Sequence, residues 1–445
     1  MKFKTALLSF IICISIISSF GQLPRLHIEG RHVYDQNDSL IILRGFNHSR
    51  WGEVLPEDAT IIKDLGANSV RTVLRWYYWG KFDASNAVNS RESSAPGHIK
   101  PDYLVYLDSV ITSFSEKEIW TVLFVNSDQG SGANENHFLN NPALEQEFIE
   151  LWLFLAERYK DVPYIAAFEI LAEPRFTKYN REVSHAELGQ FYKKVADSIN
   201  TITNGEIPFV IGPMDHYKAA NLTSDYFLED YPIIYAANML WPKPYILGEE
   251  TYGYPSDEIN KETLKTYFTQ PLHFRETYDV PVWVDQFGAS YEAIGFEEYT
   301  RDIIHYYDSL ELHWSYWNFR SPNSTRGLFT RQPEKTGDYV MNLAPYNLLD
   351  SLLTSGKPVI TSIVATQNNN EVFYSVIDYE LKVHLKSNSS AEIAIHDLRG
   401  NLISKFSANQ HNNSIPLGNL SLTSGLYIIT IKQKDNISRG KFIYR

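Results

Sequence analysis

The chain has 445 residues, 44% of them hydrophobic and 21% charged, which is enough apolar material for a large core in two or three domains and excludes a mainly disordered or collagen-like polypeptide. Lys plus Arg total 40 against 53 Asp plus Glu, a net charge of -13, the wrong sign for gripping phosphate backbones, so nucleic acid is not an expected partner. Aromatic residues reach 14%, with 29 Tyr and 9 Trp, and flat apolar rings suit a ligand that offers C–H faces for stacking, as sugars do.

Lys2 and Lys4 precede an apolar run from Ala6 to Ile17, and Ser19 and Gly21 are small residues placed for a cut after Gly21. Residues 1–21 read as a secretory signal peptide. As a helix the run would cover only ~18 Å of a ~30 Å hydrocarbon core, so it is too short for an anchor, and no later segment reads as a span. The single cysteine, Cys13, lies inside this run; the mature chain is therefore expected to fold without disulfides.

Short β-branched or apolar runs then alternate with helical patterns. The expected strands are Leu40 to Phe46, Ser69 to Leu74, Trp120 to Val125, Tyr164 to Leu171, Pro208 to Ile211, Ile233 to Ala236, Val282 to Gln286 and Leu312 to Trp317. Eight is the number that closes a (β/α)8 barrel. The clearest helices are Asn141 to Lys160, opening on Asn-Pro and apolar at Phe148, Leu151, Trp152 and Leu155, and His185 to Ile202. The rival is a doubly wound nucleotide-binding sheet, which calls for a glycine turn after its first strand. Gly45 stands alone there, and Gly130-Ser131-Gly132 lacks a third glycine. No cofactor is expected.

All nine tryptophans fall between Trp51 and Trp317, and residues 362–445 carry nine Lys or Arg against six Asp or Glu, so the acidic excess belongs to the earlier part. Two units follow: an α/β barrel over 22–361 and a small C-terminal β-sandwich over 362–445, with Asn368 to Asn370 as a candidate linker. In the tail, Leu381 to Leu385, Glu392 to Ile395 and Leu426 to Ile431 alternate like strands.

Working residues of such a barrel sit at the C-terminal ends of its strands. The fourth ends Phe168-Glu169-Ile170-Leu171-Ala172-Glu173-Pro174 and the seventh reads Pro281-Val282-Trp283-Val284-Asp285-Gln286-Phe287-Gly288. Together with Leu43-Arg44-Gly45-Phe46-Asn47, with Arg71 after Asn68-Ser69-Val70, and with Trp317 after Trp314-Ser315-Tyr316, these segments resemble glycoside hydrolase family five, the cellulase family of retaining β-glycosidases, over roughly residues 24–355. The resemblance implies an acid/base at Glu173, a nucleophile position at residue 286, and substrate-binding positions at Arg71, Asn126, Asn238 and Trp317. Trp241 is added as an aromatic that either stacks a sugar or only caps the barrel mouth.

The departures from the family pattern are specific. Gln286 stands where the nucleophilic Glu belongs, Ala172 where an Asn precedes the acid/base, Asn126 in place of a third-strand His, and Asn238-Met239-Leu240 in place of a sixth-strand His-x-Tyr. Retaining hydrolysis needs one carboxylate to attack the anomeric carbon and another to protonate the leaving oxygen, and a Gln amide forms no ordinary glycosyl ester. Asp285, next to it, is expected to point away from the barrel axis because strand neighbours alternate faces. Asp215, after the fifth strand, and Glu249 and Glu250, after the sixth, lie on loops from which they could reach the mouth. The resemblance implies that Arg71 orients a seventh-strand carboxylate at position 286; with Gln286 there, Arg71 is expected to pair with its side-chain carbonyl, Glu169 to be an interior polar group, and His137, His216 and His313 to be ordinary surface or core histidines, with no metal site.

The tail resembles the C-terminal sorting domain of the type-nine secretion system through Asp397-Leu398-Arg399-Gly400-Asn401, through Leu420 with Leu422-Thr423-Ser424-Gly425-Leu426-Tyr427, and through the closing Gly440-Lys441-Phe442-Ile443-Tyr444-Arg445. That resemblance implies a secreted or cell-surface protein with the secretion machinery as a partner. Three functions are open: binding of an oligo- or polysaccharide in a cleft that has lost its reaction, hydrolysis of β-glycans by an altered mechanism, and adhesion with the barrel as scaffold.

Overall fold

In the computed structural model the described residues are 23–48, 55–77, 90–127, 139, 141–175, 183–249, 253–321, 325–332, 338–354, 373–377, 380–385, 390–397, 399–409, 412–417, 420, 425–434 and 436–444. Residues 1–21, read as a signal peptide, residues 130–132, His137, Glu250 and the expected linker at 368–370 lie outside them.

Eight parallel strands close into one barrel: Arg44–Asn47, Ser69–Tyr77, Trp120–Ser127, Ile165–Glu169, Phe209–Ile211, Ile233–Met239, Val282–Phe287 and His313–Tyr316, with the last paired to the first. The eight expected runs all supply a strand. They are mainly apolar rather than alternating because interior side chains fill one face and helices cover the other; every residue of Ile165–Glu169, Ile233–Met239 and Val282–Phe287 is buried. The first strand begins four residues later than expected, at Arg44, since Leu40 and Ile41 bond back to Tyr34 and Val33 of a short hairpin, His27–Glu29 with His32–Tyr34. Leu26 and Val33 from that region join Trp120, Val122, Val210, Ile234 and Trp283 in one cluster.

Local chemistry places the helices that hold the fourth and fifth strands. Pro142–Tyr159 starts where the Asn141 side chain accepts from Leu144 N at 3.2 Å, with Pro in the first turn. His185–Thr203 opens on a capping box between Ser184 and Glu187 and ends at Asn204 in the left-handed region. Trp152 of the first helix donates its indole N–H to Ile170 O at 3.0 Å, and Tyr192 of the second donates to Gly212 O at 2.9 Å. These bonds tie each helix to the strand end that carries a site residue. Gly45 is needed where the first two strands meet, because a Cβ there would lie 1.8 Å from Ser69 O.

In the tail, Phe373–Ile377, Glu380–His384 and Asn412–Pro416 form one sheet, while Leu402–Ala408, Ala391–His396, Gly425–Gln433 and Asn436–Tyr444 form another. Leu381, Val383 and Ile415 of the first share a core with Ile393, Ile395, Ile429 and Ile431 of the second, which makes the unit a sandwich. The three expected strands are its centre. Leu402–Ala408 and Asn412–Pro416 lack a regular apolar alternation and are held by pairing to their neighbours. The Asp397 motif is a turn: its Oδ1 accepts from the backbone N–H of Arg399 and Asn401 at 2.9 and 2.8 Å.

Candidate active site

The fourth strand runs out at Glu169, and the chain turns through Ala172 to Glu173, which adopts a left-handed φ of 51°. Non-glycine residues are uncommon in that region, and such positions concentrate at functional sites. The Glu173 side chain is 26% exposed. Its Oε1 accepts from Asn238 Nδ2 and from Gln286 Nε2, each at 2.8 Å. Its Oε2 lies 3.5 Å from His216 Nδ1. The ends of the fourth, fifth, sixth and seventh strands therefore converge on one carboxyl group.

His216 was not singled out by sequence reasoning, which reads it as an ordinary histidine. Three consecutive residues, Asp215, His216 and Tyr217, have φ of 61°, 61° and 56°. This turn brings the imidazole to Glu173 and points the Tyr217 hydroxyl inward, where it donates to Leu171 O at 2.7 Å and Glu169 Oε1 at 3.0 Å. No sequence pattern announces three left-handed residues without glycine. His313 is a core histidine: its Nδ1 accepts from Leu43 N at 3.0 Å, and burial lowers its pKa to about 3.

Beneath Glu173 lies a second, sealed layer. Arg71 is 1% exposed and bonds both oxygens of Glu169, Nε reaching Oε2 at 2.5 Å, while one terminal nitrogen donates to Asn47 Oδ1 at 2.7 Å. Arg71 Nε also lies 2.7 Å from Asp285 Oδ1. The expected pairing of Arg71 with Gln286 is thus corrected, and so is the expectation that Asp285 faces outward. Both corrections have one cause. Between Val284 and Phe287 the seventh strand carries two residues where each neighbour carries one, since these positions pair with Trp314 and Tyr316 on one side and with Ala237 and Met239 on the other. A β-bulge breaks the alternation of faces, so Asp285 enters the interior and Gln286 still reaches the mouth.

Burial opposes the Arg71 charge, but Asp285 and Glu169 outweigh it and raise the guanidinium pKa. Burial also pushes the Asp285 carboxyl well above its usual range; Arg71 works against this, while Glu169 and Glu173 reinforce it. Phe124 lies under the Arg71 guanidinium, 3.7 Å from carbon to ring centroid, and packs against Ala172. An apolar contact thus occupies the position where the family pattern has an Asn.

The remaining candidates are spread around the mouth. Asn126 is half-buried at the end of the third strand. Trp317 is 9% exposed, and its backbone N–H donates to Phe287 O at 2.7 Å. Gly288 permits that approach: its φ is 134°, and a Cβ would sit 2.8 Å from Trp317 O. Trp241 is partly exposed and stacks on Tyr267 with centroids 5.3 Å apart, so one face is already covered. Asp215 accepts from Asn221 Nδ2 at 3.1 Å, and Glu249 is exposed. Among the described residues no group of three or more His, Cys, Asp or Glu is placed to hold a metal, and no helix is long and apolar enough to cross a membrane.

Residues 34–323 match the model of the cellulase family, glycosyl hydrolase family 5, and residues 378–445 match the secretion system C-terminal sorting domain. The chain belongs to glycosyl hydrolase family 5. The sorting domain directs this family member to the cell surface or beyond it. Among curated relatives, a β-xylosidase of Phanerodontia chrysosporium is 22% identical over 59% of this chain and 56% of its own length, so the chain spans little more than half of that relative. Among solved structures, an endoglucanase of Thermotoga maritima aligns with a TM-score of 0.54 at 19% identity, over 69% of this chain and 96% of its own. Endo-glycoceramidase II of Rhodococcus sp. aligns with a TM-score of 0.57 at 16% identity, over 91% of this chain and all of its own. At these identities the likeness is one of fold, and function has to be argued from the site.

Proposed function

We propose that this family member binds β-linked oligo- or polysaccharide in the barrel cleft outside the cell and hydrolyses it weakly or not at all. One observation carries the reading: Gln286 donates an amide N–H to Glu173 Oε1 at 2.8 Å. The residue that faces the acid/base position across the cleft is neutral and already occupied as a donor. An amide carbonyl attached to nitrogen does not form the glycosyl ester that retaining hydrolysis passes through. The nearest alternative carboxyl on the same strand, Asp285, is fully buried and cannot meet an anomeric carbon. Glu173 with the Asn238 and Gln286 amides, Asn126 and the rings of Trp241 and Trp317 are the residues assigned to glycan binding; Arg71, expected from the sequence to bind substrate, is 1% exposed and supports the site from beneath.

In this reading the natural protein retards in gels containing soluble β-glycan, and it cleaves aryl β-glycosides no faster than Glu173→Gln does. Failure to bind any β-glucan, β-mannan or xylan would leave the scaffold or adhesion role in its place. For export, deleting residues 362–445 is expected to leave the barrel folded, because the tail has its own core, and to retain the protein in the cell envelope. Immunoblots of cell fractions read this out, and normal release of the truncated chain would contradict it.

A further inference from the structure

Arg71, Glu169 and Asp285 place two carboxyl groups around one guanidinium in a volume closed to water. Glu169 takes the two aligned hydrogen bonds, from Nε and from a terminal nitrogen. Asp285 sits 2.7 Å from the same Nε, yet neither of its oxygens has a well-aligned hydrogen bond among the described residues. Asn47 bridges the cluster, accepting from Arg71 through Oδ1 at 2.7 Å and donating through Nδ2 to the Asp285 carbonyl at 2.8 Å. The Gln286 side chain closes the cluster from above and interacts with the Asp285 carboxyl as well as with Glu173.

We propose that Asp285 is a positioning residue that has taken Arg71 over from position 286, so that the carboxyl group which would serve a glycosidase cleft is held one residue deeper and sealed behind the Gln286 amide. The strand-seven bulge makes this possible, because without it residues 285 and 286 would face opposite sides of the sheet. Two carboxyls already compete for one cation, so a third at position 286 would find the Arg71 charge already committed. Gln286 and Asp285 form a matched pair in this arrangement: the neutral side chain at the mouth is the one that tolerates a carboxyl behind it. Glu169 and Tyr217 face Arg71 from the other side, and Glu173 faces Gln286 from the cleft.

This inference rests on residue 286 being the nucleophile position, and its test separates the two claims. The proteins compared are the natural chain, Gln286→Glu, Asp285→Asn and the double variant, each assayed for aryl β-glycoside turnover, glycan retardation and unfolding midpoint in urea. Gln286→Glu alone is expected to stay within a few-fold of the natural rate, while the double variant exceeds it by about tenfold or more, since only then does Arg71 have a cleft carboxylate to orient. The unfolding midpoint of the double variant should lie above the sum of the two single changes, because removing one carboxyl relieves the other. Measurable and equal rates in the single and double variants overturn the proposal. If neither turns over, additive midpoints overturn it and a compensating pair supports it. Robust turnover by the natural chain would instead defeat the binding reading and leave the Asp285 assignment to be decided by the midpoints.

Discussion

Replacing Arg71 by methionine is expected to cost about 3 to 5 kcal/mol of folding stability, the usual loss when one member of a buried ionic group is removed and its partners remain. The side chain is 1% exposed and serves Glu169, Asp285 and Asn47 together, so its removal leaves uncompensated carboxyls in the barrel interior. Urea unfolding reads the change as a lower midpoint at constant slope. Arg71→Lys keeps the charge but not the two-pronged geometry, and should recover only part of the loss. A midpoint unchanged in Arg71→Met would show that the cluster does not hold the barrel together.

The second large effect concerns acid stability. Asp58 is fully buried between His48 and Arg320, with His48 Nε2 at 2.8 Å and Arg320 Nε at 2.7 Å. Burial alone would raise its pKa, but the hydrogen bonds from Arg320 and His48 prevail and lower it to about 2. A carboxyl with a depressed folded-state pKa stabilises the fold above its unfolded value, near 4, and loses that contribution as pH falls through the folded value. The shift corresponds to about 2 kcal/mol, lost between pH ~4 and ~2. Asp58→Asn should therefore lower stability at neutral pH by about 2 to 4 kcal/mol and flatten the acid limb of the stability profile. The same steep limb in the variant would place the acid-sensitive group elsewhere.

The barrel could be read from the sequence because each strand is buried on both faces and appears as an apolar run, and because Asn141-Pro142 and Ser184 with Glu187 mark helix starts chemically. Glu173 could be read from its place before Pro174 at a strand end. What escaped was set by contacts across the sheet. The alternation of faces sends Asp285 outward, and only the register of the sixth and eighth strands against Val284 and Phe287 creates the bulge that turns it inward. With Asp285 inside, Arg71 finds its partners there and in Glu169, so the expected bond to Gln286 does not form. His216 reaches Glu173 through three left-handed residues in succession, and the single-residue tendency of Asp and His towards that region does not announce such a run. In the tail, strand identity at Leu402–Ala408 and Asn412–Pro416 comes from neighbours rather than from hydrophobic pattern.

Reducing-end detection shows whether this cleft holds glycan without cleaving it. The natural protein and Glu173→Gln are incubated side by side with β-glucans, β-mannans and xylans. New reducing ends are expected to form equally slowly with both proteins on every substrate. Robust release by the natural protein that disappears in Glu173→Gln would contradict it, and would require a nucleophile among Asp215, Glu249, Glu250 or the substrate itself.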